Sequence, residues 1–338
     1  MSRAVKAVRR SPVRMRFGFI LGLVGLLLLS GSLEFPDRAA AATNVSGTIS
    51  TDTTWTLAGS PYVMTDNVYV AAGVTLTIEP GVVVQGSGET RLLTVNGSLA
   101  AEGTAGAPIT FTSTADSAPG EWHGIRFDSP GGSSTLEYVN VRYGGDGGIS
   151  KSSGMVEVVA GAVTIEDSTF TASAVSGLRV YGGLSGTDAS AVVRRSKFER
   201  NGFVGEDRHG DGLNLFNARV VVEDSAFWSN ASDGMAFLVG DGYEPAPSEI
   251  SGSSIWDNRR YGVYSSVEFG AEAFSPDGRV AGKPGNAVYD NGTFGLSGDD
   301  KWIQLSVSRA SSSVDWSGTY WGPVVSLPCA LGSGRGHL

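Results

Sequence analysis

Four stretches share one pattern: TIEDSTFTAS (residues 164–173), VRRSKFERN (193–201), VEDSAFWSN (222–230) and ISGSSIWDN (250–258). A fifth, GNAVYDN (285–291), continues them. The polar residues that close the five are Ser173, Asn201, Asn230, Asn258 and Asn291, at steps of 28, 29, 28 and 33. Four residues later stands a glycine, at Gly177, Gly234, Gly262 and Gly295, and an insertion of seven delays its counterpart to Gly212. Farther upstream, LEYVNVRYGG (136–145) places Val141 in the same register, 29 residues before Phe170. A fixed period of this length marks a repeat architecture, in which each unit is too small to bury a face alone.

Within each unit, short alternating runs such as Val163-Thr164-Ile165 and Leu213-Asn214-Leu215 are bounded by Gly-, Asn- and Ser-rich turns, the pattern of strands. No amphipathic helix of 12 residues is visible. Stacked units pair each strand in parallel with its equivalent one coil on, about 4.8 Å away. The spacing therefore predicts an all-β, single-stranded solenoid of parallel strands, of roughly eight coils of about 28 residues, about 40 Å long. Phe170, Phe198, Phe227 and Ile255 are expected to stack inside it. The recurrent Asn is expected to take a left-handed turn conformation, and to ladder its amide with the Asn of the next coil.

Composition agrees. Of 338 residues 48 are Gly, 41% are hydrophobic and 17% charged, which excludes disorder, coiled coils and collagen. Residues 1–42 read as a secretory signal: Arg3, Lys6, Arg9, Arg10, Arg14 and Arg16 precede an apolar run at 17–29, and small residues at 39–42 offer a cleavage site. That segment holds seven of the 25 basic and two of the 34 acidic side chains, so the remainder carries a net charge of −14. An acidic surface repels phosphate backbones, and nucleic acid is not an expected partner. The single Cys329 has no intrachain partner for a disulfide. The expected organisation is a signal peptide at 1–42, an N-terminal cap at 43–67, the β-helix at 68–325 and a tail at 326–338. No transmembrane segment is expected after signal cleavage, and the mature protein is expected outside the cytoplasm or at the cell surface.

The run WTLAGSPYVMTDNVYVAAGVTLTIEPGVVV (55–84), then GTAGAPITFTS (103–113) and EWHGIRF (121–127), resembles the opening of secreted bacterial right-handed parallel β-helix proteins. The SxFxxN-x₃-G coils resemble pectate-lyase-like repeats, and DWSGTYWG (315–322) resembles the segment that closes such domains. The resemblance spans about residues 44–322. It implies the fold and leaves function open among polysaccharide lyases, glycosidases, epimerases, tailspikes, adhesins and members without activity. Family enzymes would imply a fuller acidic cluster with a basic residue, or a paired-Asp motif, and neither is matched here residue by residue.

Two features carry candidate chemistry. The insertion FVGEDRHGDG (203–212) crowds Glu206, Asp207, Arg208, His209 and Asp211 onto one turn, and the repeat stacks Asp211 on Asp233. Asp211, Asp233, His209 and Arg208 are the catalytic candidates of a lyase or glycosidase, since two close carboxylates split their pKa values. Asp207, Asp211 and Asp233 with loop carbonyls are the candidate Ca²⁺ site; no other cofactor is required. GDGYEPAP (240–247) adds Asp241 and Glu244. The second feature is a face. After each turn glycine, Leu178, Leu213, Met235, Val263 and Leu296 should point inward, and Arg179, Asn214, Ala236, Tyr264 and Ser297 outward. Tyr181, Phe216, Leu238 and Ser266 form the next outward set. Tyr181, Phe216, Asn214 and Tyr264 are the ligand-binding candidates, with a polysaccharide or cell-envelope glycan as partner. The leading functional expectation is a non-catalytic polysaccharide-binding or adhesive β-helix, with catalysis at Asp211 and Asp233 as the alternative.

Overall fold

The computed structural model describes residues 41–145, 154–183, 188–202, 210–239, 248–267, 280–282, 286–289, 291 and 305–308. All belong to one compact unit, Ala40–Leu338. Residues 1–40, which hold nearly all of the expected signal segment, most of the 203–212 insertion, the 240–247 loop, DWSGTYWG and the tail lie outside the described residues. Among the described residues no helix is long and apolar enough to cross a membrane.

Among the described residues, twenty-five strands pair into parallel ladders that form three columns. Among the described residues sheet A runs from the Gly47–Ile49 rung through Val68–Val70, Leu93–Val95, Ile125–Phe127, Val156–Val158, Leu178–Val180, Leu213–Leu215, Met235–Phe237 and Val263–Ser265 to Leu305–Val307. Sheet B includes Thr53–Trp55, Thr75–Ile78, Ser190–Arg194 and Arg219–Glu223. Sheet C includes Thr169–Thr171, Lys197–Glu199, Ala226–Trp228 and Ser254–Trp256. Trp122–Glu137 and Gly154–Glu166 are long because each bends round the corner from sheet A to sheet B. The chain thus traces C, A, B and C again in every turn.

Among the described residues sheet C has ten rungs, from Thr43 and its partner Tyr62 through Val84, Phe111, Val141, Phe170, Phe198, Phe227 and Ile255 to Val288. The 28-residue period underestimates the coil number because the first coils are shorter: Tyr62 and Val84 are neighbours in register. Parallel pairing begins at Thr43.

The core is a set of stacks. Phe170, Phe198 and Phe227 stack at centroid distances of 4.7 Å and interplanar angles of 7° and 2°, with Ile255 next in register. Beside them runs the expected asparagine ladder. Asn201 Nδ2 donates to Asn230 Oδ1 at 2.9 Å, Asn230 Nδ2 to Asn258 Oδ1 at 2.9 Å, and Asn258 Nδ2 to Asn291 Oδ1 at 2.8 Å. The second amide hydrogen of each reaches a carbonyl, those of Phe170, Phe198 and Phe227. The left-handed conformation does not fall on these asparagines. It falls one residue earlier, on Ala172, Arg200, Ser229 and Asp257, at φ of 52–53°. The reason is that the Asn side chain must point inward to reach the ladder, so its predecessor turns the chain.

Candidate functional site

At the corner between sheets C and A, the stacked insertion residues are buried. Asp211 is 2% exposed and Asp233 is fully buried. Asp211 Oδ1 accepts from the backbone N–H of Asp233 at 3.0 Å, and Asp233 Oδ1 accepts from that of Tyr261 at 3.0 Å. The carboxyls therefore form a short ladder of their own, in which each holds the N–H one coil on. Asn214 Nδ2 donates to Asp211 Oδ2 at 2.8 Å. Arg260 grips Asp233 with both arms of its fork, Nε to Oδ1 at 2.8 Å and Nη2 to Oδ2 at 2.5 Å. All four carboxyl oxygens thus accept from protein donors.

Burial pushes Asp233 up to about 7; Arg260 opposes this and the neighbouring Asp211 reinforces it. Burial pushes Asp211 up as well, against hydrogen bonds from Asn214, the Asp233 N–H and Ser232. One guanidinium cannot compensate two ionised carboxylates in a medium of low dielectric constant, so the pair retains a proton well above the usual carboxylate range.

Arg208, His209 and Asp207 lie outside the described residues. Among the described residues, no group of three or more His, Cys, Asp or Glu side chains lies together as a metal site would require. Arg260 was not among the sequence candidates. Its signal was available: it immediately precedes Tyr261, the position that aligns with Asp233.

Sheet A presents an outward row in register: Thr94, Arg126, Glu157, Arg179, Asn214, Ala236 and Tyr264. The rung after Val263–Val267 is Leu305–Ser308, not Leu296 and Ser297, because the chain between them is longer than the repeat predicts. Glu157 is the row's buried acid, 7% exposed, between two cations. Arg179 Nη1 lies 3.5 Å from Glu157 Oε1, and Arg126 Nη1 lies 3.8 Å from Oε2. Among the described residues Arg179 Nε is buried with no hydrogen-bond partner. The sequence does not mark this trio, because Glu157 stands 31 residues after Arg126 and 22 before Arg179, off the 28-residue period.

The aromatic candidates stand beside this row. Tyr181 is half-buried and carries the Arg179 guanidinium 4.5 Å from its ring centroid. Its ring also stacks on Phe216 at 5.2 Å, and Phe216 is 6% exposed. Tyr264 stacks on Tyr261 at 5.5 Å, with Arg260 lying 4.8 Å and 4.9 Å from the two centroids. Tyr181 and Phe216 are in-register neighbours on adjacent rungs, whereas Tyr261 and Tyr264 belong to one coil, and in both pairs the rings lie face to face. The same holds on sheet C for Trp228 and Trp256, stacked at 5.0 Å.

The pectate-lyase-like β-helix domain model matches residues 47–159, and the right-handed β-helix region model matches residues 123–299. The second match covers more than half of the chain, and the chain belongs to the right-handed β-helix family. Several solved structures are similar to it. The periplasmic alginate epimerase AlgG is 12% identical, with 81% of this chain and 84% of that chain covered and a TM-score of 0.29. The Azotobacter vinelandii mannuronan C-5 epimerase AlgE6 A-module is 12% identical, covering 85% and 92%, with a TM-score of 0.34. Pectate lyase Pel9A is 17% identical, covering 74% and 73%, with a TM-score of 0.32. No curated protein matches the sequence significantly.

Proposed function

We propose that this chain is exported and binds a polysaccharide on the outer face of sheet A, without turning it over. The observation that carries this reading is the in-register row Arg126, Glu157, Arg179 and Asn214, with Tyr181 at its side. A repeating polymer laid along the coil axis meets a repeating set of donors at one strand spacing. Two cations, Arg126 and Arg179, around the single Glu157 carboxylate leave a local positive charge on a protein whose net charge past residue 42 is −14. Export rests on the basic and apolar pattern of residues 1–42.

Catalysis at Asp211 and Asp233 would need those carboxyls to reach a substrate, whereas both are buried and fully engaged with protein donors. That favours binding. The test is a screen of the mature protein against pectate, alginate and neutral glycans, with Ca²⁺ and with chelator. Saturable binding without product, weakened about tenfold or more by Arg179→Ala, is expected, since loss of a charge-assisted contact is worth about 1.5–3 kcal/mol. Unsaturated or reducing ends that disappear in Asp211→Ala would establish the lyase or glycosidase reading instead.

A further inference from the structure

The outward row of sheet A continues beyond Thr94 toward the N-terminal end, through Tyr69 to Thr48. Val68 and Val70 on either side of Tyr69 are buried, while Tyr69 itself is 39% exposed. It differs from the other aromatics of this face. Tyr181 lies on Phe216 and Tyr264 on Tyr261, whereas among the described residues no ring stacks on Tyr69, whose neighbours in the row are two threonines. An open ring face, with its negative π cloud, is a surface on which the C–H face of a sugar packs. The charges of the row are regularly placed as well. Tyr69, Arg126 and Arg179 stand two rungs apart, about 10 Å, and Glu157 lies midway between the two cations. Arg126 Nη2 also lies 3.8 Å from Asp128 Oδ2, but both side chains are open to water, and such a pair is easily exchanged for a ligand acid. In an extended β-linked chain each sugar advances about 5 Å and turns over relative to the last, so one edge recurs at the distance of two rungs.

We propose that Tyr69 is a stacking subsite at the N-terminal end of the sheet A face, and that the ligand of this face is an extended acidic heteroglycan with an acid group on alternate sugars. This rests on the glycan reading above and names its ligand. Acid groups meet Arg126 and Arg179, the neutral sugar between them crosses Glu157, and the sugar two places before Arg126 packs on Tyr69. A polymer with an acid on every sugar brings a like charge to the Glu157 carboxylate, whose burial leaves the repulsion weakly screened. A neutral polymer leaves both guanidiniums without an acid. From Tyr69 to Arg179 the row spans four rungs, about 19 Å, so about five sugars are needed to reach both ends. A four-sugar chain that holds both cations stops short of Tyr69.

The test is calorimetry on the whole mature chain. The probes are alternating glucuronate–N-acetylglucosamine oligomers of four and six sugars, with hexagalacturonate and cellohexaose beside them. The six-sugar alternating oligomer is expected to bind about threefold to tenfold tighter than the four-sugar one, the gain of one aromatic contact. Tyr69→Ala is expected to erase that gain and to leave four-sugar binding unchanged, while Tyr69→Phe keeps the gain. Because Tyr69 is exposed, neither substitution is expected to shift the melting temperature appreciably. Hexagalacturonate is expected to bind about tenfold more weakly than the alternating hexamer, and Glu157→Gln to narrow that difference to about threefold or less. No gain with length, or a gain that survives Tyr69→Ala, would overturn the subsite. Hexagalacturonate or cellohexaose binding as tightly as the alternating hexamer would overturn the ligand class. Either result leaves the glycan reading standing, whereas no binding of any of the four probes would overturn that reading and this ligand together.

Discussion

Asn230 shows how much one buried amide does in this protein. Its Oδ1 accepts from the backbone N–H and the side chain of Asn201, and its Nδ2 donates to Asn258 and to the Phe198 carbonyl. Truncation leaves several buried polar groups without partners, each expensive in a dry interior. Asn230→Ala is therefore expected to cost about 3 kcal/mol or more in chemical denaturation. The acid pair gives a prediction with the opposite character. The Asp233 carboxyl is pushed up to about 7 in the folded chain, above the value of about 4 for an unfolded aspartate. Between those values the native state holds a proton that the unfolded state has lost, so stability falls as pH rises. The contribution is fully present below about pH 4 and gone above about pH 7. Thermal unfolding from pH 4 to 8 should show the loss, and Asp233→Asn should flatten it. A melting temperature that rose through this window only in the wild type would contradict the assignment.

At the scale of the element, the strands are short and the corners do the specifying. Five corners between sheets B and C place a left-handed residue at Tyr138, Asp167, Arg195, Asp224 and Gly252. The serine that follows four of them is buried and forms a second ladder. The N–H of Ser168 donates to Ser196 Oγ at 3.1 Å, that of Ser196 to Ser225 Oγ at 3.1 Å, and that of Ser225 to Ser253 Oγ at 3.2 Å. This ladder went unread, although the serines recur two residues before each stacked Phe or Ile. Inside the corner the phenylalanine stack dominates. Phe227→Ala should cost about 3–5 kcal/mol, the range for a large core side chain. Outside it, Arg194 bridges Glu166 at 3.0 Å and Glu223 at 2.6 Å on an exposed rim. Arg194→Ala should cost less than about 1 kcal/mol, and less again in high salt, because water and ions screen such pairs. Denaturation of both variants at two salt concentrations separates the two kinds of ladder.

Among the described residues each strand pairs with its equivalents in the coils on either side, and in such a stack stability is close to a sum of local terms. Phe227→Ala should therefore speed hydrogen exchange in the coils carrying Phe198 and Ile255 far more than in the strand Thr75–Ile78. Uniform acceleration along the chain, read by mass spectrometry, would mean that the solenoid unfolds as one block. The repeat itself was legible in the sequence because stacking forces one side chain per coil into the same place. Phe170, Phe198 and Phe227, with Ser173, Asn201 and Asn230 three residues on, had to recur at one period to meet at all. The site was legible only in part. Asp211 and Asp233 were paired by the same period, but their burial was not written in it. Arg260 reaches them from one coil on, and Glu157 sits between Arg126 and Arg179 because two coils of unequal length align there. A period fixes which residues share a column, through backbone pairing that repeats. Which of them face water, and which carboxyl has a counter-charge, depends on side chains from coils on either side, and only the folded stack brings those together.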